Sequence, residues 1–366
     1  MKKVLFFLLA AGFVSAQNVE FTDVNFKKAI IKAYPNLDAN KDSEISFEEA
    51  KTLTSIRNLS SYPAITNAKG IEAFINLTEL NLSQKDLTSI NVSSNTKLTT
   101  LNLKENKLEG ILDLTQLSAL KTLELNKNLL TQVLLPENGI IEVLYINENK
   151  ISQVDVSKLQ NLKRLFLVNN EITSLDLSKN LILERLHIDY NKITGLDLSN
   201  LSKLNWMSVN NNLLTEIKYS NNPLLKTIIA QNNAIETLNF QDGFPNVLTL
   251  INLTGNANFN KIIKDCNDSL PSASVTVEDN CVVLGVNNTV KNRIEIYPNP
   301  AIENLYFSKP VFVENYKIFS TEGKLINSKN TNKEVKSISV SSLQKGLYIL
   351  KLETKEGDVS HHFLTK

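Results

Sequence analysis

Leu162-Lys163-Arg164-Leu165-Phe166-Leu167-Val168-Asn169-Asn170-Glu171-Ile172 and, 21 residues later, Leu183-Glu184-Arg185-Leu186-His187-Ile188-Asp189-Tyr190-Asn191-Lys192-Ile193 follow one rule. The first, fourth, sixth and eleventh places are apolar, and the ninth is Asn. The frame opens again at Leu77, Leu98, Leu120, Ile141, Leu204, Leu225 and Leu248, which makes nine copies. Six of the eight steps are 21 residues, and the other two are 22 and 23. A fixed period of this length marks an array in which each unit buries its apolar face only against its neighbours.

Each place in the frame has a physical task. Apolar residues two apart point to the same side of a short strand, so the fourth and sixth places face a core while their neighbours face outward. The Asn three places on sits where the chain turns away, and its amide can satisfy backbone groups that a buried turn leaves unpaired. Stacking the copies gives a ladder of Asn106, Asn128, Asn149, Asn170, Asn191, Asn212, Asn233 and Asn256, with Lys85 in its place in the first repeat. The pairs Val154/Val156, Leu175/Leu177, Leu196/Leu198 and Leu238/Phe240 complete the core from the opposite side of the coil. These residues resemble the leucine-rich-repeat family from about Leu77 to Asn258. The expected fold class is therefore an α/β-type repeat solenoid, a horseshoe with short parallel strands over residues 77–264, followed by a small all-β sandwich. The short period leaves little room for a convex helix, so extended or 3₁₀ segments are predicted there.

The array needs caps. Across residues 17–76, Phe26, Ala29, Ile30, Ala33 and Tyr34 form the stripe of an amphipathic helix that Pro35 stops. The string from Asp38 to Glu49 resembles the EF-hand calcium loop. That resemblance implies Asp38, Asn40 and Asp42 as oxygen ligands, Glu44 through its carbonyl, Ser46 at the ninth place and Glu49 as the bidentate twelfth. Ser43 departs from the Gly normal at the sixth place, and forcing it to positive φ costs about 1 kcal/mol. Ser46 and Glu49 also form a capping-box pattern that needs no metal. The expected cofactor is a structural calcium ion that stiffens the cap, and Gly70, Ile71 and Phe74 read as a degenerate repeat sealing the solenoid's end. At the other end, over residues 265–285, Cys266 and Cys281 predict one disulfide, closing a loop of about 15 residues and contributing about 3 kcal/mol. The alternative is two buried thiols.

Residues 286–293 read as a linker. From 294 to 366, alternating apolar runs with Gly turns predict a small antiparallel β-sandwich. Tyr297-Pro298-Asn299-Pro300, the Ile318 to Lys324 segment, the Leu343 to Leu352 segment and the final Lys366 resemble the C-terminal sorting domain of the type IX (Por) secretion system of Bacteroidota. That resemblance implies a translocation address and the secretion machinery as a partner. Residues 1–16 read as a signal peptide, with Lys2 and Lys3 before the apolar run Val4 to Val14 and small residues at Ser15 and Ala16. The expected location is outside the cell or on its outer surface, reached through the periplasm, with no transmembrane anchor after cleavage.

Lys and Arg number 39 against 38 Asp and Glu, so no charge excess points to nucleic acid or anionic membrane. The three His (His187, His361 and His362) belong to no nucleophile elbow, zinc motif or phosphate loop, and no catalysis is expected. What the strands present is more informative. The central outward column contains Tyr145, Phe166, His187 and Ile229, flanked by Val143, Arg164, Arg185 and Trp206 on one side and by Asp189 and Tyr190 on the other. Aromatics beside Arg, rimmed by polar residues, are ingredients of a binding site. Alternatively, the rings merely pack on one another across the strands. Recognition of a protein or glycan on the concave face is the leading expectation, and a structural surface or matrix component with no discrete ligand is the other.

Overall fold

The computed structural model describes residues 17–57, 59, 65–137, 139–199, 201–219, 222–240, 246–264, 268–271, 276–279, 294, 296–320, 324–355 and 357–365. The expected signal segment, the two cysteines of the expected disulfide, and the expected linker lie outside these residues. The chain forms two compact units that divide after residue 280.

In the first unit the repeat frame becomes a solenoid. Ser55–Ile56, Glu79–Asn81, Thr100–Asn102, Thr122–Glu124, Val143–Tyr145, Arg164–Phe166, Arg185–His187, Trp206–Ser208, Thr227–Ile229 and Leu250–Asn252 pair in that order into one ten-stranded sheet. Every pairing is parallel and in register, with no slip between equivalent places. The middle residue of nearly every triplet is fully buried (Leu80, Leu101, Leu123, Leu144, Leu165, Leu186, Met207, Ile228), and its two neighbours point away from the core. Ser55–Ile56 precedes the first full frame, so the degenerate turn before Leu77 adds a tenth strand to the nine repeats. On the opposite side of the coil the chain is extended. Short parallel ladders join Glu109–Asp113 to Leu129–Leu134, Gly195–Asp197 to Glu216–Lys218, and Thr237–Asn239 through Lys261–Lys264 to Thr276–Asp279. A single apolar core runs from Val19 to Ile262, and Phe26, Ala29 and Ile30 of the first helix (Val24–Ala33) belong to it.

Two regularities hold the sheet edge where the chain turns. Each ladder Asn works between repeats. Asn191 Nδ2 donates to the carbonyls of Leu167, Ile188 and Asp189, while its Oδ1 accepts from the Ile172 amide. The same pattern recurs at Asn106, Asn128, Asn149, Asn170, Asn212, Asn233 and Asn256. Lys85, which breaks the pattern, is buried and donates instead to the Leu59 carbonyl. Just before each ladder Asn the backbone enters the left-handed region, at Glu105, Lys127, Glu148, Asn169, Tyr190, Asn211 and Asn232, with φ between 54° and 56°. This costs about 1 kcal/mol per non-Gly residue. It aims each amide at a carbonyl of the next repeat, as in Tyr190 N to Asn210 O at 2.8 Å. The last repeat uses Gly255 at φ 84°, where a Cβ would lie 2.0 Å from Asn232 Oδ1.

The second unit is an antiparallel sandwich. The long strand Asn304–Ser320 pairs with Ile296–Tyr297, Leu325–Ser339 and Gly346–Thr354, and the last of these pairs with Gly357–Thr365. Its separate core contains Leu305, Phe307, Val313, Ile318, Ile338, Leu350, Leu352 and Phe363. Among the described residues no helix is long and apolar enough to cross a membrane.

Candidate functional site: the outer face of the ten-stranded sheet

Strict register brings equivalent places of successive repeats side by side, one strand spacing apart (about 4.8 Å). Tyr145 therefore meets Phe166, with ring centroids 4.8 Å apart and planes tilted by 43°. Phe166 meets His187 at 5.8 Å and 69°, and His187 meets Trp206 at 5.3 Å and 84°. Four rings thus form one continuous line across four repeats, and all four are half-buried. Val143 lies in register with Arg164, Arg164 with Arg185, and Arg185 with Trp206, which makes a second column beside the first. Both guanidinium-bearing residues are exposed, and Val143 is half-buried. Ile229 continues the first column beyond the buried Ser208 and is half-buried too.

The structure places two of the expected contact residues elsewhere. Tyr190 occupies the left-handed turn at the sheet edge, 57% exposed, and among the described residues no ring of the line touches it. Asp189 is buried beneath the line. Its Oδ1 accepts from Ser208 Oγ at 2.7 Å and the Asn210 amide at 2.8 Å, and its Oδ2 accepts from Asn210 Nδ2 at 2.9 Å. His187 Nε2 lies 3.0 Å from the same Oδ2. Burial pushes the Asp189 carboxyl up, but the donors from His187, Ser208 and Asn210 outweigh it and hold the group below its usual range. An ionised carboxylate only accepts, so Nε2 carries the proton and the imidazole plane is fixed.

Ser, His and Asp close together invite comparison with a hydrolase triad, but the geometry differs. Ser208 and His187 both bind the carboxylate, whereas a triad needs the hydroxyl to donate to the imidazole. This cluster orients a ring; it does not activate a nucleophile. Sequence reasoning missed Ser208 and Asn210, although a signal existed. Asn126, Asn147 and Asn210 hold equivalent places, and each accepts with its Oδ1 from an amide of the next repeat, at 2.8, 2.8 and 2.7 Å. Asp189 is the charged member of this second ladder, and Val168 interrupts it beside Phe166.

The loop from Asp38 to Glu49 has its own local order. Asp38 accepts from the amides of Asp42 and Ser43, Asn40 Oδ1 accepts from the Asp42 amide, and Asp42 Oδ1 accepts from the Glu44 amide at 2.8 Å. Ser43 adopts φ 65°, the left-handed geometry expected at the sixth place. Glu49 closes a complete capping box with Ser46 on the helix Phe47–Ala50 and also accepts from the Ala39 amide at 2.9 Å. Burial raises the Glu49 carboxyl, yet the bonds from Ser46, Ala39 and Asn40 bring it below its usual range. Glu44 pairs with Lys27. The donor set is hard oxygen throughout, and its backbone course suits a calcium-type loop. Among the described residues, however, no three His, Cys, Asp or Glu side chains converge. A calcium set here would need Asn40, Ser46 and a carbonyl as well.

Comparison with known proteins adds the following. Residues 295–366 match the secretion system C-terminal sorting domain, and the protein is accordingly secreted or held at the outer cell surface. No curated protein matches the chain. Among solved structures it is similar to a leucine-rich-repeat protein of Leptospira interrogans, with 23% identity and a TM-score of 0.44 over 61% of this chain and 57% of that one. The functional domain of InlJ from Listeria monocytogenes matches at 20% identity and a TM-score of 0.31, over 96% of this chain and 98% of that one. The leucine-rich-repeat domain of APL1B matches at 18% identity and 0.46, over 63% and 70%. The chain thus spans little more than half the length of the Leptospira protein.

Proposed function

We propose that this exported solenoid is a recognition module that binds a protein or glycan partner on the outer face of its ten-stranded sheet. The observation that carries this reading is the line Tyr145, Phe166, His187 and Trp206, half-buried and continuous across four repeats. Rings that served packing alone would be expected inside the coil, which Leu and Ile already fill for the most part. Truncating Phe166 and Trp206 to Ala together should abolish binding of the full chain to intact host cells or to extracted glycan, with the circular dichroism spectrum unchanged. Retained binding by the folded double variant defeats the reading. A partner-dependent rise in melting temperature separates it from a purely structural surface or matrix role.

The loop Asp38–Glu49 supports a second, structural reading, a calcium ion held by Asp38, Asn40, Asp42, the Glu44 carbonyl, Ser46 and Glu49. The left-handed Ser43 and the gathering of amides by Asp38 and Asp42 favour it over the capping box alone. The residues would contribute oxygen donors to a stiffened cap. Calcium at a hundredfold excess over its Kd should add about 2.7 kcal/mol to stability. The Asp38→Ala/Asp42→Ala variant should lose that increment, and an increment that survives it removes the site.

A further inference from the structure

Arg164 and Arg185 hold equivalent places in consecutive repeats and are in register, so two guanidinium side chains leave the same face one strand spacing apart. Like charges directly opposite on one face are destabilising. The other members of this column are Glu79, Thr100, Thr122, Val143, Trp206, Thr227 and Leu250, so positive charge appears only here, beside the ring line. Arg57, the other described arginine of the solenoid, meets Glu79 at 2.5 Å, and several surface lysines also find carboxylates, Lys107 with Asp86 at 2.7 Å and Lys192 with Glu171 at 2.9 Å among them. Neither Arg164 nor Arg185 has an ion pair among the described residues. The nearby Glu142 is taken by Lys163 at 2.7 Å, and Glu184 also acts on Lys163. Asp189 is already occupied by four donors below the surface.

We infer that the Arg164–Arg185 pair is a clasp for a carboxylate, and that the partner is a protein segment carrying an acidic side chain among apolar ones. The inference rests on the recognition reading above and names its partner's chemistry. Two guanidinium forks on neighbouring strands can offer N–H donors to one carboxylate, which relieves their mutual repulsion on binding. Phe166 and His187 project from the same two strands, so residues flanking the bound acid reach the rings. The rings favour side chains over sugars. Phe166, His187 and Trp206 meet at 69° and 84°, and in each of those pairs one ring spends a face on its neighbour's edge. Flat pyranose stacking needs free faces, whereas Leu, Val or Phe side chains pack against edges and tilted rings equally well.

The test uses the full chain and defined probes: synthetic peptides of alternating Glu with Leu and Phe, their Lys-for-Glu counterparts, and alginate as a uronic-acid polysaccharide. Binding is read by fluorescence anisotropy. The Glu peptides should bind at least about tenfold tighter than the Lys peptides, the scale of one charge-assisted hydrogen bond. The Arg164→Glu/Arg185→Glu variant should reverse that order. Arg164→Gln/Arg185→Gln, which removes the charge and keeps the stems, should equalise the two and guards against misfolding. Equal binding of Glu and Lys peptides to the native chain overturns the clasp. If Phe166→Ala/Trp206→Ala still weakens that binding, the recognition reading survives without it. Alginate binding without peptide binding overturns the protein partner, and no binding by any probe overturns the inference outright.

Discussion

Asn191 and Arg185 lie six residues apart in one repeat, on the same backbone frame, and do opposite things. Asn191 is buried, makes four hydrogen bonds, and is matched by an Asn in seven other repeats. Arg185 is exposed, has no ion pair among the described residues, and is matched only by Arg164. The turn edge of the solenoid repeats because every repeat must there satisfy the same backbone groups. The sheet face varies because the strands hold together without it. Repetition therefore reports the fold, and departure from it within a fixed frame marks where function is free to act.

The sharpest way to break this contrast is Asn191→Ala. It leaves the carbonyls of Leu167 and Ile188 and the Ile172 amide without their side-chain partner in a buried turn. A loss of about 3 kcal/mol is expected, because unpaired buried groups carry their full desolvation cost. Urea unfolding of variant and parent measures it, and a loss below 1 kcal/mol would mean that the ladder is not what holds the edge.

Gly255→Ala strains the same edge by a different route. The substitution puts a Cβ at φ 84° against the Asn232 side chain, which donates through Nδ2 to Asn211 Oδ1 at 3.0 Å. Since that neighbour is itself fixed, a loss of about 2 kcal/mol is expected in thermal unfolding. Lys127 and Tyr190 adopt the left-handed region at the equivalent places with full side chains, so positive φ alone does not demand Gly; at Gly255 the close approach of Asn232 does.

The ladder and the strand leucines were legible because both recur at a fixed period. The left-handed residue before each Asn was not. Glu, Lys, Asn and Tyr hold it in turn, and what pays for its strain is a hydrogen bond to the next repeat that no residue type announces. The ring line was readable from the columns, because register needs only the frame. The burial of Asp189 was not, since its place also admits Ser, Lys, Val, Gln and Thr. Only the three Asn in that column pointed to a second ladder.

Asp189 lies between the two regimes, a ladder member that orients a ring of the face. Its carboxyl is depressed in the folded state, so it contributes stability above the ordinary carboxylate pKa of about 3.9, and that contribution is lost as pH falls through the lower folded value. Native protein should lose stability on this account between pH 5 and the acid limit. Asp189→Asn, which has no charge to neutralise, should start lower at pH 7 and show a correspondingly flatter acid limb. Parallel limbs for the two proteins would mean that the donors around Asp189 do not favour its ionised form.

The smallest effect is the most telling. Arg185→Gln keeps the aliphatic stem against the strand and removes one of two facing charges. If the face contributed to folding as the edge does, the variant would lose stability. If the arginines are held for a partner, the variant should gain about 0.3 kcal/mol, the size of a relieved like-charge pair. The gain should shrink as salt rises, because exposed charges one strand apart are screened at 1 M. Matched urea unfolding at low and high salt resolves it, with Arg164→Gln as the symmetric partner and the double variant as the cycle. Two single gains that exceed the double one when summed would locate the repulsion between these two side chains. A salt-independent loss would place Arg185 with the edge, among residues the fold requires.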